Sequence, residues 1–373
     1  MKFVIITHVK HIAKKDLFFG YAPYVQEMNI WFKYVDEVII VAPLSNNNKP
    51  TAIDLPYDHN KIVFKKVPNF SFTSFINILS SVFKLPIIFW KVFLGMKNAD
   101  HIHLRCPGNM GLVGCLVQIL FPKKNKTAKY AGNWDPKSKQ PYTYKLQKWI
   151  LSNTFLTHNM KVLVYGDWKK QSKNIKSFFT ATYSESEKEI IQKTSFNDVI
   201  EFIFVGSLVS GKNPLYAIEL IQKLIRKNYK VTLNIYGEGL ERVFLENYIL
   251  KNNLETAIIL HGNQNKKEIK KAYKKSHFVI LPSKSEGWPK AITEGMFWGC
   301  IPIASKVSCV PFMLDYGKRG ILLEMNLNKD LHQIESVIVN QNDFVNKSAL
   351  ATNWSQKYTT KFFETEIEKL LAK

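Results

Sequence analysis

Residues 201–220 read EFIFVGSLVSGKNPLYAIEL, and this stretch decides the fold. A run of β-branched and aromatic residues, Glu201–Val205, stops at Gly206. Lys212 follows, and then Asn213 and Pro214 open a segment in which Ile218, Ile221 and Ile225 recur at helical spacing. Asn213 suits a helix N-cap, and proline is tolerated in the first helical turn because its missing N–H has no partner there. Strand, glycine turn and amphipathic helix form the repeating unit of parallel sheets covered by helices on both faces.

The same rhythm extends in both directions. Strands are expected at Val231–Tyr236, Ala257–His261, His277–Leu281 and Cys300–Ala304 towards the C-terminus. Towards the N-terminus they are expected at Phe3–Thr7, Glu37–Ala42, Lys61–Val67, His101–Arg105, Ala128–Ala131 and Lys161–Tyr165, with helices between them such as Gly111–Leu120 and Tyr142–Ser152. The fold class is α/β, two Rossmann-like doubly wound parallel-sheet domains. Two such domains side by side leave a cleft between the carboxyl ends of their strands, where ligands bind in these sheets. At 373 residues the chain suits two domains. The polar stretch Tyr183–Val199 places the boundary near residue 190.

Composition narrows the function classes. Hydrophobic residues make up 46% and charged residues 22%, so both halves can bury a core and neither reads as disordered. Cys106, Cys115, Cys300 and Cys309 are spaced too widely for a zinc knuckle and imply no disulfide framework. The opening apolar run is too short for a signal peptide and reads as a buried first strand. The expected location is cytoplasmic, at the inner face of the plasma membrane if the basic surface is used there. The net charge of +22 favours anionic partners, although lysines scattered over helix faces also form an ordinary solvated surface. One apolar, aromatic segment, Phe70–Lys97, is interrupted by Lys84 and Pro86 and makes a poor transmembrane span. A buried crossover helix with lysines pointing outward is favoured there over an interfacial amphipathic surface that would contact an anionic membrane.

Chemistry concentrates in the second half. Residues 281–305, LPSKSEGWPKAITEGMFWGCIPIAS, read as a buried strand, a polar turn and a helix starting at Pro289. Glu286 then lies in the loop before the helix and Glu294 on its second turn. The free N–H groups and partial positive charge of the helix start suit a phosphate, and two nearby carboxylates suit hydroxyls, which together describe a sugar nucleotide. Lys212, at a strand-to-helix turn, can neutralise a diphosphate without matching a P-loop. Ile235–Gly239, IYGEG, ends a strand in two glycines that let backbone approach a ligand closely.

In this order and spacing, together with the Leu260–Gly262 turn, these segments resemble the C-terminal domain of the retaining family 4 glycosyltransferases (glycosyl transferases group 1), in a version found in bacterial envelope-polysaccharide enzymes. The resemblance covers about Glu201–Met313, and the first half follows only the general pattern. It implies a GT-B fold, with an acceptor-binding domain at 1–190, a nucleotide-sugar-binding domain at 191–355 and a C-terminal helix at 356–373 that packs back on the first domain through Phe362, Ile367 and Leu370. It further implies that Glu294 accepts the ribose hydroxyls, Glu286 contacts the donor sugar and Lys212 stabilises the departing diphosphate. The amides of Gly287, Trp288 and Lys290 would face sugar or diphosphate, beside Gly206, Ser207, Gly237 and Gly239, with Gly262 and Asn263 near the base. Ser207 stands where many members carry arginine, and Pro289 supplies no amide.

On the acceptor side the candidates are Asn109, Asn133, Trp134 and Asp135. His103 and Arg105 compete for the slot of the family's histidine, because residues two apart on a strand share a face. No Asp-x-Asp motif and no histidine–carboxylate grouping reads as a metal site, so no metal or other cofactor is expected. The expected reaction moves a sugar from a nucleoside-diphosphate sugar to a glycan or lipid-linked acceptor with retained configuration, in cell-surface polysaccharide or lipopolysaccharide synthesis. A nucleotide-sugar 2-epimerase would share the architecture but act without acceptor. A basic nucleic-acid-binding protein is a distant alternative suggested by Lys266–Ser276, where the lysines nonetheless follow an ordinary amphipathic pattern.

Overall fold

The computed structural model describes residues 1–46, 49–51, 53–70, 75–191, 193, 195–196 and 198–372, the side chains of 75–82 excepted. Residues 71–74 of the apolar segment and residues 192, 194 and 197 of the expected boundary stretch lie outside the described residues. The chain forms two compact units, Met1–Phe179 with Phe363–Lys373, and Thr180–Phe362.

In the first unit the elements run β1 (Lys2–Ile6), β2 (Ile12–Lys14), β3 (Leu17–Tyr21), α1 (Ala22–Phe32), β4 (Glu37–Pro43), β5 (Asp54–Pro56), β6 (Ile62–Val67), α2 (Phe75–Lys97), β7 (His101–Cys106), α3 (Asn109–Val117), β8 (Asn125–Tyr130), α4 (Tyr142–Ser152), β9 (Met160–Tyr165) and β10 (Ile175–Phe178). A parallel sheet takes the order β10-β9-β8-β7-β1-β4-β6, and β2, β3 and β5 make a small antiparallel sheet. The strand order reverses between β1 and β7. Phe3–Ile6 are fully buried because both faces of the sheet are covered. On one face Ile88, Val92 and Met96 of α2, Met110 and Val113 of α3, and Ile150 and Leu151 of α4 share a single core with Ile6, Leu104 and Ala128.

The second unit contains β11 (Ile200–Val205), α5 (Pro214–Arg226), β12 (Val231–Tyr236), α6 (Arg242–Lys251), β13 (Ile258–Gly262), α7 (Lys266–Lys275), β14 (Phe278–Leu281), α8 (Lys290–Phe297), β15 (Ile301–Ser305), α9 (Val310–Met313), β16 (Ile321–Leu323), α10 (Leu327–Val339) and α11 (Gln341–Ser355). Its parallel sheet runs β13-β12-β11-β14-β15-β16 and reverses between β11 and β14. Two parallel-sheet Rossmann-like units of this kind are the GT-B fold.

Asn213 occupies the N-cap of α5 as expected, though in a left-handed conformation (φ 54°) and without a side-chain capping bond. Three expectations are corrected. Pro289 is itself the N-cap of its helix, with an extended backbone, so α8 begins at Lys290. The last helix, α12 (Thr360–Leu371), buries Phe363, Ile367 and Leu371 rather than Phe362 and Leu370. Those three are spaced by four and fall on one stripe, and Phe363 packs on Phe178 and Phe179 at 5.5 and 5.7 Å. Finally, the side of α2 opposite its buried stripe exposes Phe83, Ile87 and Trp90, not a row of lysines.

Candidate functional site

The second unit concentrates the expected residues at the carboxyl ends of β11 and β14, where its strand order reverses. Such a switch point is where open α/β sheets bind ligands. Backbone joins the loops there: the amide of Gly206 donates to Tyr236 O (2.9 Å), that of Leu208 to Glu238 O (3.0 Å), and that of Gly237 to Gly262 O (2.9 Å). Gly237 (φ +142°) and Gly239 are required by this packing, since a Cβ on either would collide with the carbonyl oxygen of Gly206 or of Leu208. Across the switch point the ammonium of Lys212 donates to the Glu286 carboxylate. The two loops are also tied by Lys284 N to Gly211 O (2.9 Å). Ser207 and Asn263 are exposed beside them.

Behind Glu286 the turn is held from below. Gly287 O accepts from Ser308 Oγ (3.3 Å) and Cys309 Sγ (3.1 Å). The Trp288 ring is buried, stacked against Trp354 at 6.0 Å and edge-on to Tyr358 at 5.5 Å. The side chain is thus a packing element that fixes the loop, leaving its backbone as the part able to meet a ligand. Lys290 starts α8, and Glu294, one turn on, accepts a hydrogen bond from Thr182 Oγ1 at 2.8 Å. Burial raises the Glu294 carboxyl above its ordinary value, opposed by the Thr182 hydroxyl and by Lys290 and Lys266. A small cavity lined by Thr182, Tyr183, Trp288, Lys290 and Glu294 lies here, wholly within this unit. At the ends of β12 and β13, Tyr236 stacks on His261 at 4.4 Å, and the imidazole is bonded to Asn234 Oδ1 at 2.7 Å. Burial lowers the His261 pKa, favouring a neutral ring.

The lysine-rich α7 spends its charges locally. Lys270 and Lys274 lie over the Trp298 ring at 4.5 and 4.7 Å, and pair with Glu187 and Glu189.

In the first unit the candidates separate. His103 is fully buried, bonded through Nδ1 to Thr127 Oγ1 (2.8 Å) and packed against Trp31 at 4.6 Å. Burial holds its pKa well below the ordinary value. It is a core histidine, which corrects its candidacy for the slot of the family's histidine. Two residues later the strand emerges, so Arg105 reaches the switch point between β1 and β7, pairing with Glu27 at 3.2 Å. Lys129 reaches the same carboxylate at 2.9 Å. His8, directly after β1, was not singled out from sequence. Its ring lies against Gly108, where an added Cβ would stand 2.8 Å from Nδ1, and both burial and Arg105 lower its pKa. Position after the first strand of a doubly wound sheet is the signal that could have found it.

The remaining candidates build a loop. Asn133 Oδ1 accepts from Asp135 N (2.9 Å), and Asp135 Oδ1 from Lys137 N (2.8 Å). Trp134 is buried, donating to Gln171 Oε1 at 3.0 Å. Asn109 begins α3 and donates to Phe70 O at 3.4 Å. Among the described residues, no group of three or more His, Cys, Asp and Glu side chains is arranged to hold a metal ion.

Residues 185–353, nearly all of the second unit, match the family described as glycosyl transferases group 1. Fold and match together give the class this chain resembles: a GT-B fold whose second unit is similar to the group 1 glycosyl transferases. An uncharacterised glycosyltransferase of Methanocaldococcus jannaschii is 28% identical over 55% of this chain and 56% of its own length, so the chain spans little more than half of that relative. An Escherichia coli UDP-Gal:alpha-D-GlcNAc-diphosphoundecaprenol alpha-1,3-galactosyltransferase is 31% identical over 41% of this chain and 40% of its own. The crystal structure of Anabaena HepE with UDP and glucose superposes with a TM-score of 0.67, covering 100% of this chain and 99% of that one at 13% identity. The last likeness speaks to fold alone.

Proposed function

We propose that the chain is a retaining, metal-independent glycosyltransferase of family 4. In this reading it moves a sugar from a nucleoside-diphosphate sugar to a glycan or lipid-linked acceptor in cell-surface polysaccharide synthesis. The observation that carries the reading is the Lys212–Glu286 pair, held across the switch point of the second unit beside glycine-packed loops. Each charge of the pair neutralises the other. A diphosphate entering there takes over Lys212 and frees Glu286 to accept a hydroxyl of the donor sugar. Glu294 is the ribose acceptor, and the neutral His261 ring, stacked on Tyr236, marks the end where the base would sit. Lys212 then stabilises charge as it grows on the leaving diphosphate, which itself helps to remove the acceptor proton. One such electrostatic contact is worth about 3–4 kcal/mol of transition-state stabilisation.

The M. jannaschii and E. coli relatives support the transferase reading through their names, and the latter supports a lipid-linked acceptor. The test is diphosphate release from a panel of nucleotide sugars in chelator, with and without membrane glycolipid extract. Release that needs both one nucleotide sugar and the extract, giving a product of unchanged anomeric configuration by NMR, is expected. Conversion of donor without acceptor would favour the epimerase reading, and an absolute need for divalent metal would overturn metal independence.

A further inference from the structure

A cavity of about 420 Å³ lies within the first unit, between the loop that follows β8, the loop that follows β9 and one stripe of α4. Its size falls in the range of small-molecule sites, about 300–1,000 Å³. From α4 come Lys145, Lys148, Trp149 and Ser152, which share a face because they are spaced by three and four. The first loop adds Trp134, Ser138 and Gln140, and the second adds Gln171. The groups gathered at the switch point between β1 and β7, Glu27, Arg105 and Lys129, do not line it.

Hydrogen bonds inside the wall use its acceptors and leave donors. Gln171 Oε1 accepts from Trp134 Nε1 at 3.0 Å, which leaves the NH2 end of that amide. Gln140 is bonded at both ends, accepting from Tyr130 Oη at 3.1 Å and donating to Asn133 O. Lys148 gives one N–H to Asp135 O at 3.1 Å and has two more, its ammonium held over the Trp134 ring at 5.6 Å. No Asp or Glu lines the cavity, and among the described residues neither lysine forms a salt bridge. Burial lowers the Lys148 pKa to about 8, offset in part by the Asp135 carboxylate, so an anion beside it would favour the charged form.

Trp149 remains 60% exposed at this wall. An exposed indole offers a flat apolar face to the C–H groups of a pyranose ring. Surplus N–H donors, two of them cationic side chains, call for an acceptor-rich substituent on that ring, and a carboxylate supplies it with charge-assisted bonds.

We propose that this cavity binds a hexuronate unit of a glycan, its ring against Trp149 and its carboxylate against Lys145 and Lys148. The assignment takes that glycan to be the acceptor of the reaction proposed above, and in that alone it rests on that reading. Binding is measured without nucleotide, so either can fail without the other.

The experiment is calorimetric and fluorescence titration of the full chain with trigalacturonate, with its carboxyl-reduced galactose trimer and with inorganic phosphate. It compares the wild type, Trp149→Ala and the combined variant Lys145→Gln/Lys148→Gln. Trigalacturonate should bind at least about tenfold more tightly than the neutral trimer and change the tryptophan emission. Trp149→Ala should weaken it about fivefold with an unchanged melting curve, since the ring is exposed. The lysine variant should bring the charged trimer down to the affinity of the neutral one. No binding of trigalacturonate at millimolar concentration, equal binding of both trimers, phosphate bound as tightly as the charged trimer, or binding unmoved by either variant would overturn the assignment.

Discussion

At the switch point of the second unit Lys212 keeps 30% of its side-chain surface, whereas at that of the first Arg105 keeps 16%, and nearby Lys129 keeps 1%. Both sheets bring cations to the carboxyl ends of their strands. In the second unit the lysine of the pair is reachable although Glu286 is buried, so an incoming anion can compete for the lysine. In the first unit Glu27 is shared between Arg105 and Lys129, and the three groups form an internal network roofed by Tyr24 and Phe363. The same topology therefore yields one point able to exchange partners and one fixed platform. Both acids are buried; what separates the two points is that Glu27 on α1 holds two enclosed cations, whereas Glu286 pairs with a lysine that stays partly exposed.

The largest effect is expected where the platform loses that acid. Glu27→Ala leaves Arg105 and Lys129 without their carboxylate and should cost about 3–5 kcal/mol in urea unfolding. A loss below about 1 kcal/mol would mean the network is not what holds this end of the first sheet. Lys212→Ala should lower kcat about 10²–10³-fold while raising KM far less, since the lysine is assigned to charge that develops late. A pure KM effect would make it a ground-state binder.

The next effect is in pH. Burial raises the Glu294 carboxyl, so its ionised form is lost at higher pH than in a free glutamate. Nucleotide affinity should fall as pH drops through that raised value. Glu294→Gln should remove this step and leave only the titration of the nucleotide's own phosphate. Stability carries the opposite sign. The folded protein holds the proton more tightly than the unfolded chain, so the unliganded protein loses stability as pH rises from the ordinary carboxylate value through the raised one. The smallest effect is Thr182→Val, which removes one hydrogen bond to Glu294 and should weaken nucleotide binding by about 1 kcal/mol, or ~5-fold in Kd by calorimetry.

The second unit was the more legible in sequence because its elements are long and periodic. Ile200–Val205 and Pro214–Arg226 stand where the strand run and the isoleucine spacing put them, although Ile225 is only partly buried and Leu224 takes the core position. β2, β5 and β16 escaped, being three residues each, too short to show alternation. The inner stripe of α12 was misplaced by adjacent apolar pairs, Phe362–Phe363 and Leu370–Leu371, of which only Phe363 and Leu371 lie four residues from Ile367. His103 could not be separated from Arg105 by alternation, because the two share a face and only depth along the strand distinguishes them. Depth depends on α1, which carries Trp31 over His103 and Glu27 to Arg105. In α2 the composition was plain, but which residues faced outward was set by packing on the sheet.

The most direct measurement is the shift in melting temperature with a panel of nucleoside diphosphates in chelator, for the wild type and Glu294→Ala. One nucleotide should raise the wild-type Tm by several degrees at millimolar concentration and leave the variant unmoved. Equal stabilisation of both proteins would place the nucleotide elsewhere, and no stabilisation of either would contradict a nucleotide-sugar site in the second unit.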